Sequence, residues 1–345
     1  MNDRQLDEAL TRFAARGPEF GPGLSNHGPM ASEALAALGR HDAIEPWAEW
    51  YASARQLGDR PESRNPIQPD DWRAALGDIR RAGDWSRFFE REIASAPWHS
   101  VLQAWAPRLL PGIMAGATHG FLRTAHAVRA LDAGETPERV RELGEGLAYW
   151  AARYQTLPTS SSLASDVSVA EAIARVPKID PSARRPGLIF DAVRAVDEES
   201  FGPVIALVSP ARDTDAFVDE ITRNFVRLYL SNAQHASISF VHTVTAPSAL
   251  RFVAPHLDPT TAREAKRYVW QACAAIYSAY ARSPAADSAL VDETPDEQDL
   301  VQQSIAARDE HAIKFTEACL REYRRSHDGA FIVAARDACV RLRAG

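Results

Sequence analysis

Apolar residues recur at intervals of three and four positions through most of the chain. This spacing places them on one face of an α-helix, and alternating strand patterns are scarce. The pattern predicts helices over 3–16, 29–38, 69–95, 97–132, 137–155, 214–255, 259–283, 295–325 and 329–343. Two short apolar segments, 187–193 and 202–208, fit a strand or a buried helical segment equally well. We therefore expect an all-α protein with a two-layer, bundle-like arrangement of helices.

Several predicted helices carry start and stop signals. Thr136 stands directly before a proline, and this pair suits the N-cap and the first turn of a helix. Gly28 and Pro29 begin another predicted helix in a similar way, and Gly39 is a plausible terminator. His27 is therefore expected to project from a helix N-terminus.

The chain is long enough for a large core, with 345 residues of which 46% are hydrophobic and 25% charged. Loop-like composition separates the predicted helices at 17–28, 56–70, 156–166, 177–187 and 283–294. The segment 156–187 is a possible boundary between two halves. A site assembled from histidines on both sides of it favours one helical domain over residues 1–345.

Composition and charge exclude several classes of protein. The net charge is −7 and basic residues are scattered among acidic ones, which argues against a nucleic-acid partner. No apolar run reaches 18 residues, and the N-terminal segment lacks the apolar stretch of a secretory signal. The three cysteines show no Cys-x-x-Cys spacing, as expected of buried thiols in a reducing compartment. We therefore expect a cytoplasmic protein without a membrane partner.

The ionisable residues of interest form pairs on predicted helices. Residues three or seven apart share a helical face, and such pairs are His119 with His126, His235 with His242, and His311 with Lys314. Each pair alone is explained as well by core histidines or by a solvated surface. Arg308, Asp309 and Glu310 are expected on such a solvated face. Only convergence of several pairs would supply the four to six ligands, roughly, that a divalent ion requires.

Lysine is rare in this chain. Of 39 basic residues only Lys178, Lys266 and Lys314 are lysines. Each lysine is therefore a candidate for a role that an arginine could not perform at that position. The glycines Gly112, Gly116 and Gly120 also stand out, because glycine is unfavourable within a helix and a series of them indicates close packing.

Four segments, in their order and spacing, resemble the questin oxidase-like proteins: LSNHGPMASEALAALG, RLLPGIMAGATHGFLRTAHAVR, FVHTVTAPSALR and DEHAIKFTEACLREY. The resemblance spans nearly the whole chain. The family is similar in kind to fungal enzymes that oxygenate and open anthraquinone-type polyketide rings. The resemblance therefore implies an oxygenase that uses dioxygen and acts on an aromatic polyketide or quinone-like small molecule.

The resemblance also implies a non-haem Fe(II) centre held by histidines and a lysine carboxylated on its side-chain nitrogen. The matching positions are His27, His119, His242, His311 and Lys314. His126 and His235 are expected to be catalytic pocket residues that transfer a proton. A desolvated lysine can lose its proton and add carbon dioxide, giving an anionic oxygen ligand, whereas arginine stays protonated. Gly120 and Arg123 stand where the fungal enzymes tend to have proline and a second histidine, which leaves the substrate open.

Other functions remain open at this stage. No Gly-x-Gly-x-x-Gly motif follows a strand, so any external electrons would come from NADPH directly or through a separate reductase. Imidazoles and a carboxylated lysine can equally hold Zn(II) and activate water, which would make a metal-dependent hydrolase. A non-enzymatic helical scaffold with structural histidines is the third alternative.

Overall fold

Helices account for nearly all the regular structure of the described residues. A computed structural model describes residues 4–160, 165, 167–183, 186–285 and 296–343. Its α-helices are α1 (Arg4–Ala14), α2 (Gly28–Ala37), α3 (His41–Ala54), α4 (Ala82–Ser95), α5 (Trp98–Leu109), α6 (His119–Ala133), α7 (Pro137–Ala152), α8 (Val169–Ala174), α9 (Ile189–Ala192), α10 (Glu198–Phe201), α11 (Thr214–Val253), α12 (Pro259–Tyr280), α13 (Glu297–Ala306), α14 (Glu310–Ser326) and α15 (Ala330–Arg341). The prediction of an all-α protein is confirmed.

Short elements complete the described structure. Two two-residue strands, β1 (Glu19–Phe20) and β2 (Leu24–Ser25), pair antiparallel within the predicted loop 17–28. Turns of 3₁₀ helix lie at Trp72–Ala75, Ile79–Arg81, Leu110–Gly112, Val193–Ala195, Gly202–Ala206 and Ala254–His256. The two ambiguous apolar segments are therefore helical turns rather than strands. Among the described helices, none has both the length and the hydropathy that crossing a membrane requires.

The chain divides into two compact units, residues 1–155 and 156–345. A single domain over residues 1–345 stays a prediction. The first unit contains α1 to α7, and the second contains α8 to α15.

In the first unit, α6 and α7 pack unusually close together. A Cβ on Gly120 of α6 would lie 2.5 Å from the Cα of Trp150, and one on Gly146 of α7 would lie 2.9 Å from the backbone nitrogen of Thr124. Heavier side chains at these two positions would push the helices apart. The glycines thus allow the backbone of α7 to approach the helix that begins at His119.

The prediction of one continuous helix over 97–132 is wrong. The chain leaves α5 at Leu109, and Gly116, Ala117 and Thr118 then adopt left-handed backbone angles with φ of 54°, 59° and 73°. Such angles cost about 1–3 kcal/mol for each residue other than glycine. Because of this turn, α6 begins at His119, so Gly112 and Gly116 do not belong to the helix that carries His119.

In the second unit, two further predicted helices are interrupted. The long helix α11 contains one residue with non-helical angles, Ala236, with φ of −150° and ψ of 37°. The predicted helix 295–325 is divided into α13 and α14 by Arg308, which has φ of 51°. Its first position, residue 295, lies outside the described residues. Periodicity did not reveal either interruption, since apolar spacing continues across both.

Candidate metal centre

Two buried histidines face each other in the first unit. His27 is the N-cap residue of α2, as predicted, and His119 is the first residue of α6. Their Nε2 atoms lie 2.7 Å apart, and their ring planes are nearly perpendicular, at 83°. Both side chains are buried. The fold therefore brings together two imidazoles that stand 92 positions apart in the sequence.

Backbone carbonyls determine which nitrogen of each ring carries hydrogen. The Nδ1 of His27 lies 2.5 Å from the carbonyl oxygen of Ser25, and the Nδ1 of His119 is hydrogen-bonded to the carbonyl oxygen of Gly116. Since a carbonyl only accepts, both Nδ1 atoms donate, and in neutral rings both Nε2 atoms present lone pairs. Two lone pairs at 2.7 Å repel unless a cation is shared between them. This arrangement fits a metal ion, because ligating histidines ordinarily donate their other ring N–H to such an acceptor.

A hydrogen-bonded network supports these two carbonyl groups. The Ser25 hydroxyl lies 2.6 Å from the hydroxyl of Tyr149, which donates to Glu19 at 2.9 Å. Arg153 holds the same carboxylate through two hydrogen bonds of 2.6 and 2.5 Å. Burial raises the pKa of Tyr149, and the neighbouring Glu19 adds to this rise. A Cβ on Gly116 would lie 2.6 Å from the Tyr149 hydroxyl, so glycine is required for this close approach.

His126 is also buried, and it is bound to a carboxylate. Its Nδ1 lies 2.5 Å from Glu33 of α2, and Arg129 donates to the same carboxylate at 2.6 Å. Burial alone would raise the pKa of Glu33, but Arg129 and His126 outweigh that effect and lower it. Glu33 is therefore ionised and keeps hydrogen on Nδ1 of His126. The predicted catalytic role of His126 stays a prediction, in which only Nε2 can exchange a proton with a substrate.

Arg123, which departs from the fungal pattern, forms a buried ion pair. Its guanidinium donates to Glu142 of α7 through hydrogen bonds of 2.6 and 2.9 Å. Burial raises the pKa of Glu142, and the charge of Arg123 opposes this rise. The arginine is thus satisfied by a partner on the neighbouring helix.

In the second unit, α11 and α14 bring two more predicted ligands together. The rings of His242 and His311 lie 5.9 Å apart between centroids, with an angle of 69° between their planes. Lys314 lies one helical turn after His311 and is 4% exposed. These three residues therefore occupy one buried region of this unit.

Lys314 differs from the other two lysines in its surroundings. Lys178 donates to the carbonyl of Ala281 at 3.1 Å, and Lys266 donates to the carbonyl of Arg212. Among the described residues, Lys314 has neither a hydrogen-bond nor an ion-pair partner. Burial lowers its pKa to about 7, although the nearby Glu310 and Asp309 oppose this fall. Burial therefore favours the neutral amine form of Lys314.

The prediction of a solvated face beside His311 is wrong for two of its three residues. Arg308 is exposed, but the side chain of Asp309 is only 13% exposed and Glu310 is 3% exposed. Oxygen or nitrogen atoms of Asp309, Glu310 and His311 lie within 4.8 Å of one another. Sequence reasoning missed the two carboxylates because it continued one helix through this region. Asp309 could have been recognised as an N-cap residue, and this was the available signal that a new helix begins here.

His235 does not lie with the buried histidines of its unit. It is exposed, and its Nε2 lies 3.1 Å from the carbonyl oxygen of Tyr280. The non-helical angles of Ala236 interrupt the register between His235 and His242, so the two histidines do not share a face. This position gives no support to the catalytic role of His235, which stays a prediction.

The fold and these residues define an all-α protein with a buried pair of histidines in each unit. A family model described as Questin oxidase-like matches residues 24–319, which include all seven predicted site residues. The chain belongs to the questin oxidase-like family. Membership indicates an oxygenase-type function and oxidoreductase activity. No curated protein matches the chain.

Proposed function

We propose that this protein is a non-haem iron-dependent oxygenase that acts on an aromatic polyketide or quinone-like small molecule. One observation carries the proposal beyond family membership. The Nε2 atoms of His27 and His119 lie 2.7 Å apart while carbonyl groups occupy both Nδ1 atoms. Two neutral core histidines would be destabilised by opposing lone pairs unless they shared a proton, whereas a bound metal ion uses both lone pairs.

The proposed ligands are His27 and His119 in the first unit, and His242, His311 and Lys314 in the second. Imidazole nitrogen is a suitable ligand for iron. The assignment of these five residues to a single ion follows from the sequence resemblance. Bound iron would supply the binding and reduction of dioxygen. Electrons beyond those of the substrate would come from NADPH or a separate reductase.

Lys314 would contribute an anionic oxygen after carboxylation. Its burial, with no hydrogen-bond or ion-pair partner among the described residues, disfavours the ammonium form, and the resulting neutral amine can attack carbon dioxide. The new nitrogen–carbon bond gives a carbamate, and the amine releases one proton. An uncharged or negative group is also required here because an ammonium would repel a metal cation.

His126 would act as the proton acceptor for a substrate phenol. Glu33 keeps hydrogen on Nδ1, so in the neutral ring Nε2 carries the lone pair that would accept the phenol proton. Arg129 holds the carboxylate in place and prevents it from taking the proton itself. Of the two predicted proton-transfer residues, we retain His126 in the proposal because it is buried.

Elemental analysis of protein purified without chelators tests the proposal. We expect close to one iron per chain, and oxygen consumption with a hydroxylated anthraquinone as the test substrate. His119→Ala and His311→Ala should each abolish iron binding if both residues hold the same ion, whereas the exposed control His235→Ala should retain it. Stoichiometric zinc without oxygen consumption would indicate a hydrolase. Protein free of metal, with variants altered in stability alone, would indicate a scaffold.

A further inference from the structure

The carboxylate of Asp309 makes two different local contacts. Its Oδ1 accepts hydrogen bonds from the backbone nitrogens of His311, at 2.8 Å, and Ala312, at 3.1 Å, so Asp309 is the N-cap of α14. The same Oδ1 lies 3.5 Å from Nδ1 of the His311 ring. One oxygen therefore faces both the start of the helix and a predicted ligand.

We infer that Asp309 is a positioning residue for His311: it begins α14 and also holds the imidazole in the tautomer whose lone pair is on Nε2. This inference rests on the proposed metal-binding function. A carboxylate beside Nδ1 favours hydrogen on that nitrogen and raises the basicity of the other one. At 3.5 Å the effect is electrostatic, and it is strengthened because both groups are largely withdrawn from water.

Different groups lie beside the Nδ1 atoms of the predicted histidine ligands in the two units. In the first unit, backbone carbonyls of Ser25 and Gly116 accept from the Nδ1 atoms of the two histidines. In the second unit, the backbone N–H groups in the first turn of α14 need a cap. The carboxylate of Asp309 both caps them and lies beside Nδ1 of His311. The left-handed angles of Arg308 end the preceding segment and leave Asp309 extended, with φ of −132° and ψ of 132°.

A second N-cap aspartate in the same unit provides a matched control. Asp258 caps α12, with Oδ1 accepting from the backbone nitrogens of Thr260 at 2.9 Å and Thr261 at 3.1 Å. The residue in the second helical position is Thr260 there and His311 in α14. Serine is an effective N-cap, so Asp309→Ser and Asp258→Ser keep both caps but remove both carboxylates.

The experiment measures the dissociation constant for Fe(II) under anaerobic conditions and the thermal unfolding midpoint of the metal-free proteins. We expect Asp309→Ser to weaken Fe(II) binding by about 10- to 100-fold, as loss of a group that orients a ligand typically does. Asp258→Ser should bind as the wild type does, and the two variants should have similar midpoints. Unchanged binding in Asp309→Ser, or an equal loss in Asp258→Ser, would overturn the inference.

A second measurement separates this inference from the proposed function. Nitrogen-15 chemical shifts of the His311 ring in the metal-free protein report which ring nitrogen carries hydrogen. We expect hydrogen on Nδ1 in the wild type and a shift toward Nε2 in Asp309→Ser. If the wild type binds no Fe(II), the proposed function fails, and these spectra alone judge the role of Asp309. Identical tautomer populations in the two proteins would refute it.

Discussion

Replacing Lys314 with methionine should stabilise the metal-free protein. Methionine keeps the length of the side chain and removes an amine that is buried without a hydrogen-bond or ion-pair partner among the described residues. The pKa of this lysine falls from 10.5 to about 7 on folding. At about 1.4 kcal/mol per pKa unit, the protonated lysine therefore costs about 5 kcal/mol of folding free energy.

The pH dependence follows from the direction of this pKa change. Below pH 7 the folded and unfolded chains both hold the proton, so the cost is fully present. Between pH 7 and 10.5 the unfolded chain binds the proton more tightly, so stability rises with pH. The advantage of Lys314→Met should thus be about 4–5 kcal/mol at pH 6 and should vanish near pH 10.5.

Urea unfolding at pH 6, 8 and 10 measures this advantage, with chelator present and carbon dioxide removed to prevent carboxylation. Lys266→Met is the control, because Lys266 is also buried but donates to the carbonyl of Arg212. Loss of that donor should lower the free energy of unfolding by about 1–3 kcal/mol. A wild type as stable as Lys314→Met at pH 6, or a difference that does not shrink with rising pH, would refute the reasoning.

Three single substitutions and one double substitution in the first unit test a buried ion pair, the packing of two helices and one helix cap. Glu142→Ala leaves the buried guanidinium of Arg123 without its carboxylate partner. Urea unfolding should show that the free energy of unfolding falls by about 3–5 kcal/mol. Replacing both partners, as Arg123→Met with Glu142→Leu, should restore most of it, and failure to do so would argue against a cost from the unpaired charge. Gly120→Val should lower the thermal midpoint, because its Cβ would lie 2.5 Å from the Cα of Trp150, and an unchanged midpoint would contradict this packing. Thr136→Ala removes the side-chain cap of α7 and should cost about 1 kcal/mol by chemical denaturation; no loss would mean that solvent replaces the cap.

Local interactions made much of the fold predictable. Helix periodicity depends on which residues follow one another at three and four positions, so the all-α class was visible in the sequence. The N-cap role of Thr136 and the position of His27 at the start of α2 were predictable for the same reason. The three cysteines are buried and free, as expected.

Backbone breaks inside apolar runs escaped prediction because neighbours distant in sequence hold them. Left-handed angles at Ala117 and Thr118 are unfavourable in isolation, and only packing in the folded unit maintains them. The turn they form places His119 at the first position of α6. The interruption at Ala236 likewise left His235 exposed while His242 is buried.

By itself, the sequence determined the helical class, the family and which histidines and lysine to consider. Tertiary structure decided that His27 and His119 share a contact, that Lys314 lacks a partner among the described residues, and that Asp309 stands beside a ring as well as capping a helix. The physical reason is that periodicity and capping act over a few residues. Desolvation and the choice of ring tautomer depend on groups that only folding brings near.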